Sequence, residues 1–115
     1  MINREEHYII ISVVHNIAGY PFSQKGIDNL GFHRKEGRRL FDLLLGIDQM
    51  DNKVEQKNYE LNSDDKKIIL LSFKLFLSEI DDYETVPLTD HTKPEVQALY
   101  EKLKILYHDA AQSVG

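Results

Sequence analysis

The stretch from Ser63 to Asp82 constrains the fold more than any other part of the chain, because no other part is apolar over such a length. At 100° per residue, its apolar side chains surround most of a helix and leave only a narrow polar stripe. Such a helix has to be covered on several sides. We therefore predict that this stretch is the central helix, with Ser63 as its N-cap and with Asp64 and Asp65 in its positive first turn.

The N-terminal segment predicts a helix over residues 4–18. Asn3 and Glu6 have the spacing of a capping box, in which each side chain accepts a hydrogen bond from the other residue's backbone amide. Gly19 stands where a left-handed residue commonly ends a helix, and Pro21 follows it, which is typical of a helix end.

Two further segments complete the predicted fold. Residues 33–50 have apolar side chains at helical spacing, and a capping box from Thr92 to Glu95 precedes an apolar stripe that continues to Ala110. Residues 51–62 are polar and show no clear period. We expect an all-α, single-domain bundle of about four helices over residues 1–115.

Composition limits the class of protein. The chain has 115 residues, no cysteine and a formal net charge of −5. The absence of cysteine excludes a disulfide scaffold, a thiolate metal site and a cysteine nucleophile. The longest nearly apolar run, residues 68–77, is about half of what a membrane span needs. The acidic pair Glu5 and Glu6 precedes the N-terminal apolar run, which does not fit a secretory signal. We expect a cytoplasmic protein that does not bind a membrane.

The connector over residues 79–90 concentrates negative charge and contains neither lysine nor arginine. Pro87 predicts that the central helix does not continue through it, so we expect a loop. Charges of this kind accelerate association with a basic partner, and an aromatic side chain such as Tyr83 adds affinity when it is buried. The alternative is an ordinary solvated loop. The predicted partner-binding residues are Glu79, Asp81, Asp82, Tyr83, Glu84 and Asp90.

A basic cluster lies at the start of the second predicted helix. Its cations are Arg34, Lys35, Arg38 and Arg39. Residues 23–40 have the rough outline of a helix-turn-helix, which would place the three arginines on a recognition helix that binds nucleic acid or another anion. Ile27 and Gly37 depart from that pattern. The alternatives are a solvated helix face and pairing with the acidic connector.

Known catalytic signatures are missing from the sequence. It contains no Gly-rich phosphate loop, no G-x-S-x-G and no H-E-x-x-H, and His7 and His15 are not spaced as a helical metal pair. The carboxylates of the connector also lack the spacing of an EF-hand. We expect no catalytic residue, no cofactor and no metal.

The leading hypothesis is a non-enzymatic protein-binding domain, an inhibitor, immunity-type or adaptor protein, that binds a basic protein through residues 79–90. The second is a helix-turn-helix-like DNA-binding regulator that uses residues 34–39. A homo-oligomer formed through surplus apolar surface of the central helix is compatible with either hypothesis.

Overall fold

The structure, a computed structural model, describes residues 2–19, 34–48 and 61–114. Every element in these ranges is helical, which confirms the all-α class. The chain forms α1 (Arg4–Val14), a π-helical turn (His15–Gly19), α2 (Arg34–Asp48), α3 (Ser63–Glu79), α4 (Asp82–Thr89), α5 (Lys93–Leu106) and α6 (His108–Val114). Six α-helices are therefore present in the described ranges, where about four were predicted.

Helix α1 begins at the predicted capping box. Asn3 Oδ1 accepts a hydrogen bond from the Glu6 amide at 2.8 Å, and Glu6 Oε1 accepts one from the Asn3 amide at 3.0 Å. The helical path includes Gly19, one residue beyond the predicted end, and its last turn is a π-helix. Two side chains bond to backbone carbonyls in and just before this wider turn: Ser12 Oγ donates to the Tyr8 carbonyl and Asn16 Nδ2 to the Ser12 carbonyl.

Helix α3 is the central helix, as predicted, and packs against α1, α5, α6 and the π-helical turn. Both of its ends differ from the prediction. The N-cap is Asn62, whose Oδ1 accepts a hydrogen bond from the Asp65 amide at 2.8 Å, and the helix ends at Glu79 rather than Asp82. Ile80 follows in an extended conformation, and its side chain is buried in the core. The helix therefore ends where this side chain enters the core. The largest buried side chains of α3 are Ile69, Leu70, Phe73 and Phe76.

The C-terminal segment forms two helices instead of one. The predicted capping box is confirmed, since Thr92 Oγ1 accepts a hydrogen bond from the Glu95 amide and Glu95 Oε1 accepts one from the Thr92 amide. The α-helix stops at Tyr107, where ψ is 43°. The apolar stripe nevertheless continues across this break, because Tyr107 and Ala110 are both buried and α6 packs against α3.

The apolar side chains of α3 are buried or partly buried within one chain. Among the described residues, the large apolar side chains that remain exposed are Tyr8, Leu43, Tyr83, Val86 and Ile105, and none of them belongs to α3. The homo-oligomer hypothesis stays a prediction. Within the described ranges, no helix has the length and apolar character that crossing a membrane requires.

Candidate partner-binding surface

The acidic segment forms a helix where a loop was predicted. Helix α4 has Asp81 as its N-cap and contains Pro87 in its interior. The prediction of a loop was wrong, although the central helix does end before Pro87, at Glu79. A proline at this position cannot donate to the carbonyl four residues earlier, which belongs to Tyr83. Because Tyr83 is largely exposed, water can hydrogen-bond to that carbonyl, and the short surface helix tolerates the missing bond.

The inner face of α4 carries two threonines. Thr85 and Thr89 are fully buried, and their hydroxyls donate to the carbonyls of Asp81 and Thr85 at 2.9 and 2.8 Å. These short side chains satisfy their own polar groups, so α4 packs closely against α1 and α5 without a buried hydroxyl left unbonded. Leu88 adds a partly buried apolar contact with the core.

A left-handed residue ends α4 and directs the chain into α5. Asp90 has φ 61° and ψ 20°, and its amide donates to the Val86 carbonyl at 2.7 Å. Aspartate tolerates this conformation better than most residues other than glycine. The His91 amide donates to Thr89 Oγ1 at 3.2 Å, which fixes the first residues of the turn.

The solvent side of α4 combines apolar and acidic side chains. Tyr83 is 76% exposed and Val86 44% exposed, and Pro87 is also exposed. Val86 and Pro87 lie three and four positions after Tyr83, so each shares a side of the helix with Tyr83. Together with the exposed Glu84 they form the α4 outer face. A helix with its threonines packed inward thus presents an aromatic ring and an aliphatic side chain to solvent.

Exposed carboxylates lie on α4 and next to both of its ends. Glu79, Asp81, Asp82, Glu84 and Asp90 are all exposed. Asp82 Oδ1 lies 3.7 Å from Lys93 Nζ, a solvated pair that contributes little stability. The other four carboxylates have no ion-pair partner among the described residues. All six predicted partner-binding residues therefore lie at the surface, with most of their negative charge unneutralised.

The basic cluster lies at the start of α2. Arg39 Nη2 donates to Asp65 Oδ1 at 2.8 Å, and the Asp65 side chain is only 3% exposed. Arg39 therefore links α2 to the first turn of α3. Lys35 and Arg38 are exposed, whereas the side chain of Arg34 and the helix-turn-helix segment before it lie outside the described residues.

Sequence reasoning missed Val86 and Pro87 as members of the surface. Their positions three and four residues after Tyr83 would have indicated a shared side, but only if the segment had been assigned to a helix. Within the described ranges, no group of three or more histidine, aspartate or glutamate side chains is arranged to hold a metal ion.

No family model matches this chain, and neither a curated protein nor a solved structure shows significant similarity to it. The assignment of function therefore depends on the surface itself.

Proposed function

We propose that this chain is a non-enzymatic protein-binding domain of the inhibitor, immunity or adaptor type, and that it binds a basic protein through the α4 outer face and the neighbouring carboxylates. The observation that carries this proposal is the exposure of Tyr83 and Val86 on a helix whose carboxylates, and those next to its ends, are also exposed.

The two kinds of side chain have different roles in this proposal. Carboxylates without ion-pair partners attract a positively charged surface and raise the association rate, an effect that salt screens. Tyr83 and Val86 supply apolar area that becomes buried on binding, and tyrosine is among the residues that most often dominate the binding energy of an interface. The buried threonines hold α4 in place before binding, which lowers the entropy lost on association.

The test begins with the partner, captured at low salt from a lysate treated with nuclease and then purified. Association and dissociation rates are measured for the wild type and for a variant in which Asp81, Asp82 and Glu84 are changed to lysine. The matched control changes Asp42, Glu101 and Asp109 to lysine, since these residues are also exposed and give the same net charge. A third variant, Tyr83→Ala, removes the aromatic ring alone.

We expect the α4 reversal to lower the association rate at least tenfold more than the control reversal. Tyr83→Ala should leave that rate nearly unchanged and raise the dissociation rate roughly tenfold or more, as expected for a residue that dominates an interface. Equal effects of the two reversals, or a Tyr83→Ala variant with wild-type dissociation, would contradict the proposal.

A second candidate is the helix-turn-helix-like DNA-binding regulator. It is favoured by one observation, the exposure of Lys35 and Arg38 at the start of α2. It predicts that the affinity for duplex DNA falls steeply with salt, and that Arg38→Ala weakens binding and lowers that slope. Absence of DNA binding at low salt would eliminate it.

A further inference from the structure

A groove lies beside the acidic surface, between the start of α1 and the turn from α4 to α5. Its volume is about 680 Å³, and it is open to solvent. The lining residues are Asn3, Arg4, Glu5, Tyr8, Asp90 and His91. Asp90 is also one of the exposed carboxylates next to α4, so the groove adjoins the surface proposed to bind a partner at this residue.

A second groove adjoins the first, between α1 and α5. Glu5 and His91 line both grooves, and the second is also lined by the apolar side chains of Ile9 and Leu99. Along α5 it runs from Glu95 to Lys102, about 10 Å at the helical rise per residue. This length, with apolar atoms along it, suits a polypeptide segment whose long side chains lie along the surface.

The carboxylates of the two grooves differ in how they are bonded. Glu6 accepts from Lys102 Nζ at 2.8 Å through both of its oxygens, and Glu95 belongs to the α5 capping box. By contrast, Glu5 and Asp90 are exposed and have no ion-pair partner within the described part of the chain. These two carboxylates carry two negative charges, and Arg4 on the same wall of the groove carries one positive charge.

The ring of Tyr8 completes this arrangement. Tyr8 is 53% exposed and lines the groove together with Glu5 and Asp90. An aromatic face attracts a guanidinium, and carboxylates bind its N–H groups in pairs. An arginine side chain is the group whose charge, planarity and aliphatic stem match all three features.

We propose that this groove binds an arginine-containing segment of the basic partner, with the guanidinium held by Glu5, Asp90 and the ring of Tyr8. This inference rests on the proposed function, because it assigns a second contact region to the same interface. The partner then contacts two sides of α4: the outer face beside Tyr83 and the groove beside Tyr8.

The probe is a synthetic peptide of alternating glycine and arginine, compared with the same peptide in which citrulline replaces arginine. Citrulline keeps the shape of the side chain and removes its charge. Binding to the full chain is followed by backbone amide chemical shifts. The variants are Glu5→Gln with Asp90→Asn, and separately Tyr8→Ala. Asparagine also tolerates the left-handed conformation at position 90, so the turn is preserved.

The matched control is Glu36→Gln with Asp42→Asn, because Glu36 is an exposed acid in the first turn of α2 as Glu5 is in α1. A second control, Tyr83→Ala, tests the outer face alone. We expect arginine-dependent shifts around Glu5, Tyr8 and Asp90, and an affinity at least fivefold lower in the groove variants than in either control.

Three other outcomes would contradict the groove assignment, and one of them would also contradict the proposed function. Shifts confined to the α4 outer face, unchanged by the groove variants, would overturn the groove assignment and leave the proposed function standing. Equal shifts with the citrulline peptide would show that charge does not determine binding and would also overturn the groove assignment. An absence of shifts on both surfaces would count against both proposals.

Discussion

The buried phenol of Tyr107 illustrates how much a single polar atom matters in this core. Its side chain is 3% exposed, and its hydroxyl has no hydrogen-bond partner among the described residues. Burial raises the pKa of Tyr107 well above its ordinary value, because the charged phenolate would lose its hydration. The ring itself packs in the core, and its centroid lies 5.5 Å from Lys66 Nζ.

We predict that Tyr107→Phe stabilises the domain by about 1 kcal/mol at neutral pH, because burying an unbonded hydroxyl costs about 1–3 kcal/mol. The raised pKa means that the wild type is fully stable below the unfolded pKa of about 10 and loses stability as the pH rises above it. The variant should lack this contribution to the alkaline loss. Urea unfolding at pH 7 and at pH 10.5 measures both effects.

Tyr83→Phe is the control for this experiment, because its ring is exposed and removing its hydroxyl should leave the unfolding free energy unchanged. A loss of stability in Tyr107→Phe would mean that the buried hydroxyl is hydrogen-bonded, which would contradict the structural account.

At the scale of the element, the two capping boxes were predictable, whereas the N-cap of α3 and the existence of α4 were not. The capping boxes at Asn3 and Thr92 each depend on residues three positions apart, so the local sequence contains the whole signal. Helix α4 was missed because Pro87 disfavours a helix interior locally. Its formation depends on packing of Thr85 and Thr89 against the rest of the molecule, which the local sequence does not encode.

The candidate site was predictable to a similar degree. The carboxylates and Tyr83 could be identified from the sequence, because acidic residues and a tyrosine cluster within residues 79–90. The proximity of Tyr8 and Asp90, which are far apart in the chain, follows from the packing of α4 on α1. No periodicity or local motif reports that contact.

The link between α2 and α3 gives a prediction at this scale. Arg39→Ala leaves the Asp65 carboxylate nearly buried without its cation, and we expect a loss of about 1–3 kcal/mol in unfolding free energy. The remaining capping bond from the Asp65 amide to Asn62 should be unaffected. Chemical denaturation measures the loss.

Lys35→Ala is the matched control, because it removes an exposed cation from the same helix and should change stability by less than about 0.5 kcal/mol. The double variant Arg39→Ala with Asp65→Asn should recover part of the loss, since it removes the unpaired charge. If Arg39→Ala is as stable as the control, the pair does not hold α2 to α3.

The other described helices are arranged around α3, and we expect the molecule to unfold in a single cooperative transition. Phe73 is fully buried and stacks with Tyr100 at a centroid distance of 6.1 Å. We predict that Phe73→Ala costs about 3–5 kcal/mol, a large fraction of the about 5–15 kcal/mol typical of such a domain. Calorimetry and circular dichroism should show a single transition at lower temperature.

Ile105→Ala provides the comparison, because Ile105 is the most exposed of the large apolar side chains described. It should change the melting temperature little. Separate transitions in Phe73→Ala, with one group of helices melting before the others, would show that α3 does not couple the whole fold.

Helix α4 divides its residues into two sets that do not overlap. Thr85, Thr89 and Leu88 attach it to the body, whereas Tyr83, Glu84, Val86 and Pro87 point away from it. Substitutions in the second set have few structural neighbours to disturb. If α4 binds a partner as proposed, selection for a different partner can act on the outer set while the inner set preserves the fold.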